Sequence, residues 1–262
     1  MATTSDNEES IDFYDDKNHD YEDFWLGRDY EHLSEVVAIK KLLGGHHYGR
    51  VMDYGGGYGR LSSILLNFAD KYILVDPSQK QLDIGKKKLN NKENVEYILL
   101  DKKDYVPAED DSLDLLVMVR VSHHLRELGA TLSEIQRALK PNGQAIIEIA
   151  NYAHFINRMK HYARFKKLPK LPVQVGTVAN GIAEDTPFVN HNPKTVVEEF
   201  KAHNLHVLKV LSVSNLRKGL VKKALNVNHL VKLESFLQPK LASVYFGPSI
   251  FFLVEKTSDD KS

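Results

Sequence analysis

The segment Asp53-Tyr54-Gly55-Gly56-Gly57-Tyr58-Gly59 holds the residue types best suited to chemistry in this chain. Glycines at alternate positions let the backbone turn tightly and let a ligand approach without Cβ atoms intervening. The apolar run Val51 to Tyr54 before them has strand character, and Leu61, Ile64, Leu65 and Phe68 after them fall on one helix face. The turn therefore lies at the carboxyl end of a strand, facing the unpaired N–H groups of a helix start, which suits a nucleotide-like guest. A dinucleotide fingerprint G-x-G-x-x-G begun at Gly55 needs glycine where Arg60 stands, and begun at Gly57 needs it where Ser62 stands. The spacing present is D-x-G-x-G-x-G.

Asp76 ends the next apolar run, Tyr72 to Val75, 17 residues beyond Gly59. A carboxylate at that strand end offers two acceptors to a vicinal ribose diol. An Asp before Pro77 and Ser78 equally suits a helix cap, and the two roles are compatible.

These residues need a scaffold, and the hydropathy pattern supplies one. Strand-length runs at Val51–Tyr54, Tyr72–Val75, Val95–Leu100, Leu113–Val119 and Gln144–Ala150 alternate with helix-length amphipathic stretches. Successive βα units on a parallel sheet follow. Lys140-Pro141-Asn142-Gly143 stops a helix and turns the chain into the fifth strand. After residue 150 a basic, aromatic-bearing stretch interrupts the rhythm. A helix at about Lys194–His203 and a strand at about His206–Ser214 restore it, a second basic interruption covers 215–240, and Ser249–Glu255 closes as an apolar strand.

In order and content the chain resembles the class I, S-adenosylmethionine (SAM)-dependent methyltransferases over about residues 30–150, and more loosely over 194–256. Asp53-x-Gly55-x-Gly57-x-Gly59 resembles their motif I, "LDLLVMVRVSHHL" their motif IV strand, and "LKPNGQAIIEIAN" their helix, Pro-Gly turn and strand. It looks most like the small-molecule branch that includes quinone-ring C-methyltransferases. The resemblance implies a doubly wound, mostly parallel seven-stranded Rossmann-like α/β sheet with helices on both faces, lid insertions and an antiparallel final strand. It implies SAM as cofactor and S-adenosylhomocysteine as product, and by position it assigns cofactor contacts to Asp53, Gly55, Gly57, Tyr58, Gly59, Asp76, Asp101, Lys102 and Val119. Asp101 and Lys102 would meet the adenine, although Asp101 also suits a turn cap or a lysine pair. Gly56 and Tyr58 depart from many relatives, which have Cys and Thr or Ser there; backbone binding survives both changes.

SAM carries its own leaving group, so holding a nucleophile in line with the methyl is the main task, and proximity and orientation contribute ~7 to 11 kcal/mol in favourable cases. A general base is needed only for an acceptor that keeps its proton. His123 and His124, just past the fourth strand, are the candidates for it, and packing against the next helix is their alternative role. Arg120 would orient an anionic substrate or pair with an acid. The passage containing Tyr14, Tyr21, Trp25 and Arg28 resembles the family's lid: aromatics can cover a sulfonium and arginine can meet the SAM carboxylate, although such aromatics also dock helices.

The expected organisation is an acidic tail and lid helices over 1–36, a SAM-binding core over 37–151, a basic acceptor-side lid over 152–193, completion of the core over 194–256 with the second insertion at 215–240, and a tail at 257–262. Lys plus Arg balance Asp plus Glu at 35 each, so no global charge draws the chain to nucleic acid or anionic membrane. Locally, residues 1–23 carry nine acids and one base, whereas 152–172 carry six bases and no acid. That basic stretch fits an anionic small molecule, a membrane surface bearing a lipophilic acceptor, RNA, or the chain's own acidic end.

The absence of cysteine excludes disulfides and a thiol nucleophile. The twelve histidines show no spaced ligand set, so no metal is expected. With no apolar leader and no long apolar run, a cytoplasmic enzyme without a membrane span is expected, acting on a small-molecule acceptor. RNA methyl transfer and non-catalytic SAM binding are the alternatives. No NPPY-type signature follows the fourth strand, which tells against amino-directed relatives.

Overall fold

A computed structural model describes residues 25–102, 104–175, 188–217 and 225–257. Five strands run parallel: β1 (Tyr48–Tyr54), β2 (Ala69–Asp76), β3 (Val95–Leu99), β4 (Leu113–Met118) and β5 (Leu139–Ala150). β6 (Val173–Val175) and β7 (Phe188–Asn190) form a separate antiparallel pair bridged to the end of β5 through Asn151 and His191, and β8 (Leu205–Val213) and β9 (Ser249–Lys256) complete the main sheet. Its order is β3-β2-β1-β4-β5-β9-β8, with β9 antiparallel to both neighbours. The doubly wound seven-stranded sheet and its antiparallel final strand are as the resemblance implies.

The helices are α1 (Asp29–Leu43), α2 (Ser62–Leu65), α3 (Gln79–Lys88), α4 (Gly129–Ala138), α5 (Phe155–Ala163), α6 (Pro193–Ala202) and α7 (Val227–Lys240). Central strands are apolar on both sides because both faces are covered. Met52, Ile73, Leu116 and Ile147 pack with Leu132, Ile135 and Phe200 of α4 and α6, whereas Val51, Leu74, Leu115 and Phe251 pack with Ile39, Leu42 and Leu82 of α1 and α3. Chain order reverses at β1, which lies between β2 and β4. Such a switch point opens a crevice at the carboxyl ends of the strands, and the glycine turn follows β1 there.

Three local expectations are refined. The helix read from Leu61 to Phe68 is one α turn followed by a 3-10 turn at Leu66–Phe68, because β2 begins already at Ala69. Lys140–Gly143 bulge out of a β5 that begins at Leu139: pairing jumps from Leu113↔Leu139 to Leu115↔Gln144, and Asn142 takes a left-handed φ of 62°. The boundary expected at residue 36 falls inside α1, whose Ala38, Ile39, Leu42 and Leu43 are core residues.

Within the interruption expected at 215–240, α7 packs on α1. Tyr30 donates to Glu234 at 2.7 Å, Gln238 donates to the Ser34 carbonyl at 2.8 Å, and both α7 side chains are fully buried. Among the described residues no helix is long and apolar enough to cross a membrane.

Candidate functional site

Both edges of the crevice can be built from the residues upward. On the first, Gly55 and Gly57 adopt φ of 70° and 57°, the left-handed region that disfavours side chains. A Cβ on Gly55 would lie 2.3 Å from Val121 Cγ2, so the turn packs directly on the segment after β4. A Cβ on Gly57 would meet only Asp76 Oδ2, at 4.0 Å, so this glycine faces open space beside a carboxylate. Gly57 N–H donates to Asp76 Oδ2 at 2.8 Å and Ser78 N–H donates to Oδ1 at 2.9 Å. Ser78, not Asp76, supplies the side-chain cap of α3, accepting from Gln81 N–H. One amide on each oxygen fixes the orientation of the Asp76 carboxylate, whose oxygens can each accept from more than one donor. An open glycine backbone beside such a carboxylate suits a ligand that brings hydroxyl or ammonium donors.

Asp53 is turned away from that opening. It is buried, and Tyr72 Oη donates to its Oδ2 at 2.7 Å, with Ser62 Oγ 2.8 Å from the same hydroxyl. Burial raises the Asp53 carboxyl to about 6, against the downward pull of Tyr72 and Arg60. The folded chain therefore takes up this proton at higher pH than the unfolded chain, so this group favours folding below the ordinary aspartate range and loses that advantage as pH rises to about 6. Relative to wild type, Asp53→Asn should gain stability as pH rises from 4.5 to 7, by about 1 to 3 kcal/mol. Urea midpoints of both proteins at the two pH values check this, and a pH-independent difference would refute it.

The second edge follows β4. Val119 is buried, and Arg120 holds a left-handed φ of 65°, a conformation that costs a non-glycine residue about 1 to 3 kcal/mol. Two buried acids hold it there. Arg120 N–H donates to Glu148 Oε2 at 3.0 Å, and its guanidinium reaches Glu35 at 2.7 and 2.9 Å. Arg60, from the end of the glycine turn, meets the other Glu35 oxygen at 2.6 Å. Burial alone would raise the Glu35 carboxyl, but Arg120 and Arg60 hold it below the ordinary glutamate range. Glu148, accepting from Ser249 Oγ at 2.5 Å, is pushed up by its burial. The Arg60 and Arg120 guanidinium carbons lie 3.8 and 5.1 Å from the Trp25 ring centroid. Glu35 thus ties α1 to both edges of the crevice.

His123 and His124 occupy a short 3-10 turn, Ser122–His124, with ring centroids 4.1 Å apart and Phe188 at 4.8 and 5.1 Å. Packing lowers both imidazoles, His124 to about 4, so both are neutral at physiological pH. Buried His191 lies 2.9 Å from the Ser122 carbonyl through Nε2, and fully buried Asn151 donates to the Tyr245 and Gly247 carbonyls at 2.8 and 2.7 Å. Neutral imidazoles can accept a proton only from a donor that is itself readily deprotonated.

Of the residues named from sequence, Gly55, Gly57, Tyr58, Gly59, Asp76, Asp101 and Lys102 lie at the carboxyl ends of β1–β3, with Leu100 N–H donating to the Asp76 carbonyl at 3.0 Å. Asp101 and Lys102 are exposed. Tyr58 is buried, with Lys88 Nζ 4.0 Å from its ring. Val119, His123 and His124 lie at the end of β4, and Arg28 precedes α1. Tyr14 and Tyr21 lie outside the described residues.

Sequence reading missed Glu35, Glu148, His191 and Asn151. A lone acid inside the apolar run "QAIIEIA" was a signal for Glu148, and an acid on the apolar face of α1, one turn before Ala38 and Ile39, was one for Glu35. Among the described residues no group of three or more His, Asp or Glu could hold a metal ion.

Known proteins resemble the part of the chain that carries this crevice. Residues 52–147 match the family model described as a methyltransferase domain. The chain is 28% identical over 156 residues to the ubiquinone/menaquinone biosynthesis C-methyltransferase of Shewanella frigidimarina, covering 56% of this chain and 58% of that protein. It is 30% identical over 98 residues to the demethylmenaquinone methyltransferase of Clavibacter sepedonicus, covering 37% and 40%. The matches thus span about half the length of these relatives. Among solved structures, a SAM-dependent methyltransferase from Thermotoga maritima superposes with a TM-score of 0.60 at 19% identity, covering 94% of this chain and 99% of that one. At that identity the likeness speaks for the fold alone.

Proposed function

The chain carries a methyltransferase domain of the class I, SAM-dependent kind, and on that premise we propose that it moves a methyl group from SAM to a small-molecule acceptor, releasing S-adenosylhomocysteine. The observation that carries the proposal is the Gly57–Asp76 pair: a left-handed glycine open to the crevice, bonded at 2.8 Å to a carboxylate on the neighbouring strand. Bound SAM supplies an activated methyl on a sulfonium. Asp76 accepts from the ribose hydroxyls, the backbone of Gly55–Gly59 lies against the remainder, and Asp101 and Lys102 flank the adenine. Asp53 acts from beneath, holding the turn through Tyr72. Val119 and the segment after it line the side from which an acceptor approaches, and Trp25, set against Arg60 and Arg120 and joined by Arg28, covers the crevice against water.

His123 and His124 are the proposed proton acceptors. Burial keeps both neutral but also makes them weak bases, so the role fits an acceptor that ionises more readily than an ordinary phenol. His124→Asn is expected to leave SAM affinity within twofold while lowering turnover at least tenfold. Unchanged turnover in both His123→Asn and His124→Asn would assign the pair to packing.

The decisive experiment is calorimetric titration of SAM and S-adenosylhomocysteine into the protein, with NADH as the control. Micromolar binding of the first two and none of the third is expected. NADH binding, or no binding by folded protein, overturns the proposal.

A further inference from the structure

We propose that α5 and the turn after it form a docking surface for an anionic lipid bilayer. α5 is a nine-residue helix with no buried residue. Phe155, Met159 and Tyr162, at helical spacing on one side, are 45, 50 and 78% exposed, and Phe165 and Leu171 beyond them are 99 and 77% exposed. These are five of the twelve large exposed hydrophobics among the described residues, gathered within seventeen positions.

Phe165 is the most telling. It sits in the left-handed region at φ 51°, where glycine or asparagine ordinarily ends a helix, and its side chain is almost wholly in solvent. A bulky ring there adds strain without contributing to the core and stands open to an external surface.

Exposed Lys160, Arg164, Lys166, Lys167 and Lys170 accompany these residues, with Arg158 half-buried behind them, and no acid occurs from 152 to 172. Cations interleaved with exposed aromatic and aliphatic groups match a surface with anionic headgroups and an acyl boundary beneath them. RNA would use the cations and the rings but has no use for Met159 or Leu171. The helix is anchored at its root, where Phe155 stacks on Phe246 at 5.0 Å and Phe155 N–H donates to the Phe246 carbonyl at 3.0 Å.

α5 starts five residues after the carboxyl end of β5, at the same end of the sheet as the glycine turn. Docking there would set the crevice mouth near the bilayer, where a lipophilic acceptor is concentrated. That consequence for the acceptor rests on the methyl-transfer reading; the docking itself does not.

The test is co-sedimentation of the full chain with phosphatidylcholine vesicles with and without 30% phosphatidylglycerol. Binding only to the anionic vesicles is expected, falling at least tenfold in Tyr162→Ser/Phe165→Ser and in Lys166→Glu/Lys167→Glu. Calorimetry on the same variants should give unchanged SAM affinity, so loss of docking is read separately from loss of cofactor binding. No sedimentation with anionic vesicles, equal sedimentation of wild type and both variants, or displacement of the protein from vesicles by poly(U) RNA at equal charge would overturn the proposal.

Discussion

Asp76→Ala is expected to weaken SAM binding at least tenfold, about 1.4 kcal/mol. Gly57 N–H donates to Oδ2 and Ser78 N–H to Oδ1, which orients the carboxylate toward the glycine turn, and a carboxylate oxygen can accept from more than one donor. Hydrogen bonds to a charged group contribute about 1.5 to 3 kcal/mol each. Removing the carboxylate also frees Gly57, whose left-handed conformation loses its tether. Asp76→Asn should be nearly as damaging, because the amide that replaces one oxygen sets a donor against a backbone N–H. Calorimetric titration of both variants checks this, with thermal unfolding to confirm that they are folded. A loss below twofold in folded Asp76→Ala would remove Asp76 from the cofactor site.

Glu35→Ala is the variant expected to harm folding most, destabilising the protein by about 3 to 5 kcal/mol, the usual loss when one partner of a buried ion pair is removed. Glu35 has no exposed surface, and Arg60 and Arg120, at 11 and 28% side-chain exposure, converge on its two oxygens. Without it, two guanidiniums face each other and Arg120 loses one of the two acids that hold its backbone. The carboxyl lies below the ordinary glutamate range. Its contribution is therefore fully present above the unfolded-state pKa of about 4.3 and is lost as pH falls through the folded value. Guanidinium chloride denaturation at pH 7 checks the magnitude, and a difference under about 1 kcal/mol would mean that solvent compensates the lost charge. Glu35→Gln, which keeps the shape and one acceptor, should lose less.

The pattern along the chain was enough to place the parallel βα units and to set the glycine turn at the end of the first of their strands. Strand runs such as Tyr72–Val75 and Leu113–Val119 are apolar throughout because both faces of a parallel sheet are covered, and that signature is local. The glycine turn and Asp76 were legible for the same reason: backbone conformation at Gly55 and Gly57 and the acid at a strand end are set within a few residues. What tertiary structure alone decided is where the side chains point and what they meet. Asp53 carries the motif's spacing, yet its carboxylate turns under the loop to Tyr72, 19 residues away. Glu35 meets Arg60 and Arg120 across 25 and 85 positions. His123 and His124 read as ordinary imidazoles near neutral pH, but packing against Phe188 and neighbouring groups lowers both. Periodicity and turn chemistry act between near neighbours in sequence, whereas burial, ion pairing and proton affinity depend on groups that only the folded chain brings together.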